Sequence, residues 1–260
     1  MEAQLVAKMQ TTTLRNNDKH QTDFAKDAPR ISRYSLADKA SSRGGMDYHF
    51  RIITAEDKEN VLKFLRRFFF RDEPLNHSIQ LIPDGENSTC VELEDYSMSS
   101  IDDNLSMMAV SSSGEIIGVL LNGVMEPPKE GEPEYVTNCA NPKFKKILKL
   151  LSHVDTKAGL AKKFPDQRVL ELRIVSVDGT WRGRGVAKAL VERTENLAKD
   201  LGFDVLRCDC SSFYSGKLCQ RLGFETTYAL PYAEYVDEDG KPVFTPSDPH
   251  AAIVTYIKKI

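Results

Sequence analysis

Apolar and polar positions alternate over short stretches of this chain and recur at helical spacing over longer ones. Tyr48 to Ile53 reads as a strand. Thr54 then stands as a helix N-cap, with Asp57 at the capping-box position. Val61, Leu65 and Phe68 share one face of a helix from Ala55 to about Phe70, and Pro74 ends it near Asp72-Glu73. A less regular helix surrounds Cys90 to Tyr96. Leu105–Val110, a Ser112-Ser113-Gly114 turn and Glu115–Val124 form a hairpin. Residues 126–134 are a Pro/Gly/Glu loop, and Lys143 to His153 is an amphipathic, basic helix. Val169–Val177 is a mostly buried strand, and Ala187, Leu190, Thr194, Leu197 and Leu201 then recur at helical spacing. Val205–Cys210 is a strand, Tyr214–Leu222 a short helix closed by Gly223-Phe224, and Tyr228–Tyr235 and Ala251–Ile257 complete the sheet around a turn at Asp237–Gly240. This alternation predicts one α/β domain with a mixed sheet over residues 47–260. Residues 1–46 are polar, Ser/Thr-rich and without periodicity, and read as a disordered extension.

Composition narrows the class. A net charge of -3 argues against a general nucleic-acid binder. No apolar run approaches membrane-spanning length, and no signal-peptide core follows Met1. The five cysteines form no Cys-x-x-Cys pair and the five histidines make no ligand spacing, so reduced thiols without a metal are expected. Cys208 and Cys210, two apart on a strand, share one face. These features point to a reducing compartment, the cytoplasm; the oligomeric state stays open, with a monomer as the default.

The most informative segment is Arg182-Gly183-Arg184-Gly185-Val186-Ala187-Lys188, between a strand and a helix. Its small residues let backbone approach a ligand. Its N–H groups open a helix and lack intrahelical partners, so with the helix dipole they attract phosphate oxygens. The loop is not a Walker loop, because no Gly-Lys-Ser/Thr ends it. It is not a full dinucleotide fingerprint, because Lys188 stands where the third glycine belongs.

Arg182, Gly185 and Ala187 fit Arg/Gln-x-x-Gly-x-Gly/Ala, the pyrophosphate loop of the GNAT acetyltransferases, and the following strand–helix–Gly-Phe unit is the next GNAT element. Phe68–Asn76 (FFFRDEPLN), Asn141–Leu148 (NPKFKKIL) and Cys210–Ser215 (CSSFYS) resemble the arthropod arylalkylamine N-acetyltransferases, in particular their dopamine N-acetyltransferase branch, from about Tyr48 to the C-terminus. The resemblance implies a GNAT fold, a mixed and mostly antiparallel central sheet flanked by helices. It also implies acetyl-CoA as co-substrate and an aromatic ethylamine as acceptor. It places Val175, Ser176 and Val177 along the pantetheine arm and residues 182–188 on the diphosphate.

Aminolysis of a thioester needs a neutral amine, and an alkylamine with a pKa of about 10.4 must lose a proton at a cost of roughly 4–5 kcal/mol at pH 7. A general base and a donor for the developing oxyanion are therefore required. Glu73 follows three aromatic residues at a helix end, where an apolar surround would raise its pKa. Read from the residues alone it is an exposed loop carboxylate; the resemblance makes it the catalytic base or the partner of the substrate ammonium. The resemblance likewise marks Ser211 and Ser215 as catalytic, with Ser215 also near the cofactor, and helix N-capping is the competing role for Ser211. Phe70 and His250 are the substrate-pocket candidates; core packing competes for Phe70, and a surface or core position for His250. Three readings stay open: arylalkylamine acetylation, acyl transfer to another amine such as a protein or polyamine, and CoA binding without turnover.

Overall fold

The computed structural model describes residues 38–41, 47–83, 85, 88–126 and 131–260. Eight strands form one sheet: β1 (Asp38–Ser41), β2 (Asp47–Ile52), β3 (Met107–Ser111), β4 (Ile116–Val124), β5 (Val169–Val177), β6 (Val205–Cys210), β7 (Glu225–Pro231) and β8 (Ala252–Lys259). Their spatial order is β1-β2-β3-β4-β5-β6-β8-β7. Neighbours run antiparallel except β5 and β6. Eight helices accompany them: α1 (Lys58–Phe68), α2 (Pro74–Ser78), α3 (Val91–Ser99), α4 (Glu134–Thr137), α5 (Pro142–Ala158), α6 (Leu160–Lys163), α7 (Val186–Asp200) and α8 (Phe213–Arg221). The expected mixed, mostly antiparallel sheet flanked by helices is the observed architecture. Four residues of the extension expected to be disordered, Asp38–Ser41, pair with β2. Residues 1–37 and 42–46 lie outside the described residues.

Each face of the sheet carries its own apolar core. Phe64 and Leu65 of α1, Leu93 of α3 and Leu148 of α5 pack with Met108, Val119 and Ile174 on one face. Val186, Leu190 and Leu197 of α7 and Cys219 of α8 pack with Met107, Leu120, Leu172 and Leu206 on the other. Gly118 of β4 is what lets α7 press so close. A Cβ there would meet Val186 Cγ1 at 3.0 Å and Leu190 Cδ1 at 3.2 Å. One expected strand is displaced: Tyr228–Tyr235 is instead Glu225–Pro231, with a 3-10 turn at Tyr232–Glu234.

The feature that positions the site is a gap in the sheet. β5 and β6 pair only at Val169↔Val205, Leu170↔Leu206 and Glu171↔Arg207. Beyond that point β5 continues along β4 to Val177, and β6 continues along β8 to Cys210. The two strands have parted. On β5 the register with β4 steps from Leu121↔Ile174 to Asn122↔Leu172, leaving Arg173 as an extra residue. Such a bulge bends and re-aims a strand. It also reverses the alternation, so Ile174 faces the α1 side although Leu172 faces α7.

Candidate active site

Three segments converge where β5 and β6 part. The first is the turn from α1 into α2. Pro74 starts α2 and leaves no donor unsatisfied there, while Glu73 is its N-cap, with Oε2 accepting from Asn76 N–H at 2.8 Å. The second is the end of β6. Ser211, the residue after the strand, donates its hydroxyl to Glu73 Oε1 at 2.7 Å across 138 residues of sequence. The third is the loop 178–185 with the first turn of α7 that follows it.

Glu73 is partly exposed, yet protein crowds its carboxylate. Burial pushes its pKa above the ordinary glutamate value and outweighs the hydrogen bonds from Ser211, Asn76 and Leu75, which favour the anion. The N-cap role weighed for Ser211 belongs to Ser212, whose side chain accepts from Ser215 N–H at 3.2 Å. Ser211 is thereby available to the carboxylate. Ser215 sits one turn into α8 and donates to Ser212 O at 2.9 Å.

Two residues without a local sequence signal complete this end of the site. Tyr232 donates its phenol to Ser211 O at 2.6 Å, and burial, then the nearby Glu73 charge, raises its pKa. Asn76 donates Nδ2–H to Phe70 O at 3.0 Å and so closes the turn that holds Glu73. His250 accepts Phe213 N–H on Nδ1 at 3.1 Å and packs edge-on against Tyr214, which places it at the mouth of α8. Burial lowers its pKa, and acceptance at Nδ1 suits the neutral ring. Phe70 departs from expectation. It is 1 % exposed within the α1-side core. A ring so enclosed serves packing, whereas Phe68 and Phe69 keep partial exposure at the same helix end. Met107 and Met108 are likewise core.

The loop has the backbone form expected of a glycine-containing turn into a helix. Gly183 and Gly185 adopt φ of +76° and +83°, the left-handed region, where a Cβ costs roughly 1–2 kcal/mol. Gly185 is the N-cap of α7, and the first intrahelical bond runs from Ala189 N–H to Gly185 O. The N–H groups of Val186, Ala187 and Lys188 therefore precede the helical ladder. Arg182, Gly183, Arg184 and Lys188 are exposed around them. Arg184 lies 5.0 Å over the Trp181 ring, and Lys188 Nζ is 3.5 Å from Glu192. Arg182 Nη2 is 3.8 Å from Asp72 Oδ2, the neighbour of Glu73, so the loop and the carboxylate turn touch. Ser176, buried on β5, donates to Phe68 O at 3.2 Å and ties the parted strand to the end of α1. Val175 and Val177 face the other side.

Residues 74–224 match the sequence model of the Acetyltransferase (GNAT) family. The chain belongs to the GNAT acetyltransferase family. Among solved structures, this GNAT acetyltransferase is similar to arylalkylamine N-acetyltransferase 2 of Aedes aegypti, with 37% identity over 82% of this chain and 99% of that one and a TM-score of 0.77. It is similar to mosquito arylalkylamine N-acetyltransferase like 5b at 28% identity, 82% and 100% coverage and a TM-score of 0.73. A Drosophila melanogaster polyamine N-acetyltransferase that forms N-acetylagmatine matches at 26% identity, with 82% and 100% coverage and a TM-score of 0.73. The chain therefore sits on the arthropod arylalkylamine branch of the family and is an acetyltransferase of amines, with acetyl-CoA as donor. No helix among the described residues is long and apolar enough to cross a membrane.

The residues present fit a coenzyme A: an unpaired strand edge for amide groups, left-handed glycines at a loop without Cβ obstruction, and a cationic helix start for a diphosphate. If that loop holds the donor, Arg184→Glu raises the KM for acetyl-CoA more than the KM for the amine in steady-state assays. An amine KM that rises more would refute the assignment.

Proposed function

We propose that this chain acetylates the primary amine of arylalkylamines of the dopamine, tyramine, octopamine, serotonin and tryptamine class, by direct attack within a ternary complex. The observation that carries the reading is the Glu73–Ser211 hydrogen bond, which sets a carboxylate of raised pKa at the fork of β5 and β6. Bound acetyl-CoA supplies an acyl group already activated as a thioester, so no covalent enzyme intermediate is needed.

Loop residues 182–188 hold the diphosphate through main-chain N–H groups and the arginines. The free edge of Val175, Ser176 and Val177 orients the pantetheine amides, and one N–H freed there stabilises the oxyanion. Glu73 first pairs with the ammonium and then takes its proton. Raising the carboxylate pKa towards the amine value narrows the gap that makes deprotonation costly. Ser211 holds the Glu73 oxygen in place, and Tyr232 holds the Ser211 backbone. Ser215, at the start of α8, donates a hydrogen bond to the departing sulfur in this scheme. Phe68 and Phe69 offer aromatic surface to the acceptor, and His250 borders the same mouth. All the residues named in this scheme belong to the GNAT domain expected over 47–260. A cytoplasmic monomer accords with the reading.

Steady-state assay with acetyl-CoA and a panel of aromatic amines, agmatine and spermidine tests the acceptor class. Higher kcat/KM for the aromatic amines supports the proposal. Preference for agmatine or spermidine would move the chain to the polyamine reading that the Drosophila relative represents. Binding of coenzyme A without any acetylated product would replace both.

Ser211→Ala gives a sharper test of the pair. The Ser211 hydrogen bond lowers the Glu73 pKa against the larger effect of burial. Its loss raises that pKa further, so the acid limb of the kcat/KM–pH profile moves to higher pH. An unmoved limb would show that Ser211 does not act on the titrating group.

A further inference from the structure

The α7-side core holds a cluster that acetyl transfer does not use. Cys210 Sγ lies 3.5 Å from Cys208 Sγ and 3.6 Å from Cys219 Sγ, and the three sulfurs fall within 4.8 Å of one another. Cys208 and Cys210 come from β6 and Cys219 from α8. Cys210 and Cys219 are buried, while Cys208 keeps partial exposure. Cys210 directly precedes Ser211, and Cys219 is one helical turn beyond Ser215.

Two chemistries suit sulfurs this close. A point equidistant from sulfurs at these separations lies about 2.0–2.4 Å from each, near the roughly 2.3 Å of a metal–thiolate bond. Among the described residues, however, no fourth His, Cys, Asp or Glu joins the three, whereas a closed structural metal site takes four ligands. A disulfide needs only two of the sulfurs. The geometry also prepares one sulfur to react. Hydrogen bonds from Cys208 and Cys210 draw the Cys219 thiol pKa down, and Cys210 stays protonated with its pKa raised.

We propose that Cys210 and Cys219 form an oxidative modification site, where a hydroperoxide joins them in a disulfide that pulls α8 onto β6 and displaces Ser211 and Ser215. Cys219 thiolate attacks a peroxide oxygen; an S–O bond forms, the O–O bond breaks, and hydroxide leaves with a proton as water. Cys210 then attacks the Cys219 sulfenic sulfur; the S–S bond forms, the S–O bond breaks, and the Cys210 proton departs with the second water. Two thiols lose two electrons and the peroxide gains them. Of the three cysteines, Cys208 is the one with partial exposure to solvent. The sulfurs must close from 3.6 Å to about 2.05 Å. A shift of about 1 Å at reacting groups is worth up to about 10²-fold in rate.

The effect on rate rests on the proposed roles of Ser211 and Ser215, whereas the cross-link does not. The reduced full chain is treated with hydrogen peroxide, its remaining thiols are alkylated, and it is digested with trypsin. Cleavage after Arg207, Lys217 and Arg221 separates residues 208–217 from residues 218–221. The expected product is these two peptides linked through Cys210 and Cys219. Acetylation of any accepted amine should fall at least tenfold and return with dithiothreitol, while Cys219→Ser keeps its rate in peroxide. The linked peptides report on the wild type even if that variant fails to fold. Cys219 recovered as free thiol or sulfinic acid, a Cys208–Cys210 link, or one equivalent of metal that blocks oxidation would overturn the site. Linked peptides with an undiminished rate would overturn the displacement of the serines.

Discussion

Glu73→Gln is expected to lower kcat/KM for amine acetylation about 10²- to 10⁴-fold at pH 7, the range for losing a general base, while the protein melts no earlier than wild type. The two halves of this expectation share one cause. Burial holds the folded-state pKa of Glu73 above its ordinary value. Its favourable, protonated state is fully present below the ordinary glutamate pKa, and that stability is lost as pH rises through the raised value. Above that raised value the wild type carries a poorly solvated anion. Glutamine removes the charge, and its amide oxygen still accepts from Asn76 N–H or the Ser211 hydroxyl, so the cap of α2 survives. The kcat/KM–pH profile and a melting curve measured on the same preparation check both halves. A variant with full rate and an unchanged profile would remove Glu73 from the chemistry.

The second large effect lies in stability. Arg207, 3 % exposed, reaches Asp155 and Glu171 through Nη1 and Asp209 through Nη2, and its guanidinium is held even more firmly protonated than usual. Glu171 is shared with Arg173 at 3.1 Å, and Asp209 also accepts from Thr255 at 2.7 Å. Burial raises the Glu171 pKa even with both arginines beside it. Arg207→Met keeps volume but strands these carboxylates, and breaking a buried pair in this way costs about 3–5 kcal/mol. For a domain of this size that lowers Tm by roughly 6–20 °C. The deficit should shrink as pH falls, because protonating Glu171, whose pKa is already raised, relieves part of the uncompensated charge. Thermal melts at pH 7 and pH 5 measure it. A deficit that grows towards pH 5 would mean that the carboxylates are not its source. Glu171↔Arg207 is also the last pair before β5 and β6 separate, so the network sits at the root of the site.

Local features were legible because they depend on near neighbours in the chain. Pro74 ends one helix and starts another, and glycine at 183 and 185 marks backbone that must enter the left-handed region. The strand–loop–helix at 169–200 was readable for the same reason. Adjacent serines were harder. Pattern cannot choose between Ser211 and Ser212 as the cap of α8, and one residue's difference decides whether Ser211 turns to its own helix or to Glu73. Nor could three consecutive phenylalanines reveal that Phe70 is the one enclosed.

The sequence by itself determined the order of elements, the soft spots of the backbone and the residue types available for acid–base work, since these follow from side-chain periodicity and steric freedom. Tertiary structure alone decided which distant groups meet. The bulge at Arg173, the separation of β5 from β6, the insertion of β8 between β6 and β7, and the 2.7 Å contact joining Glu73 to Ser211 all arise from strand pairing and packing between remote segments. A carboxylate's pKa belongs to the same class, because it is set by what surrounds the group in space.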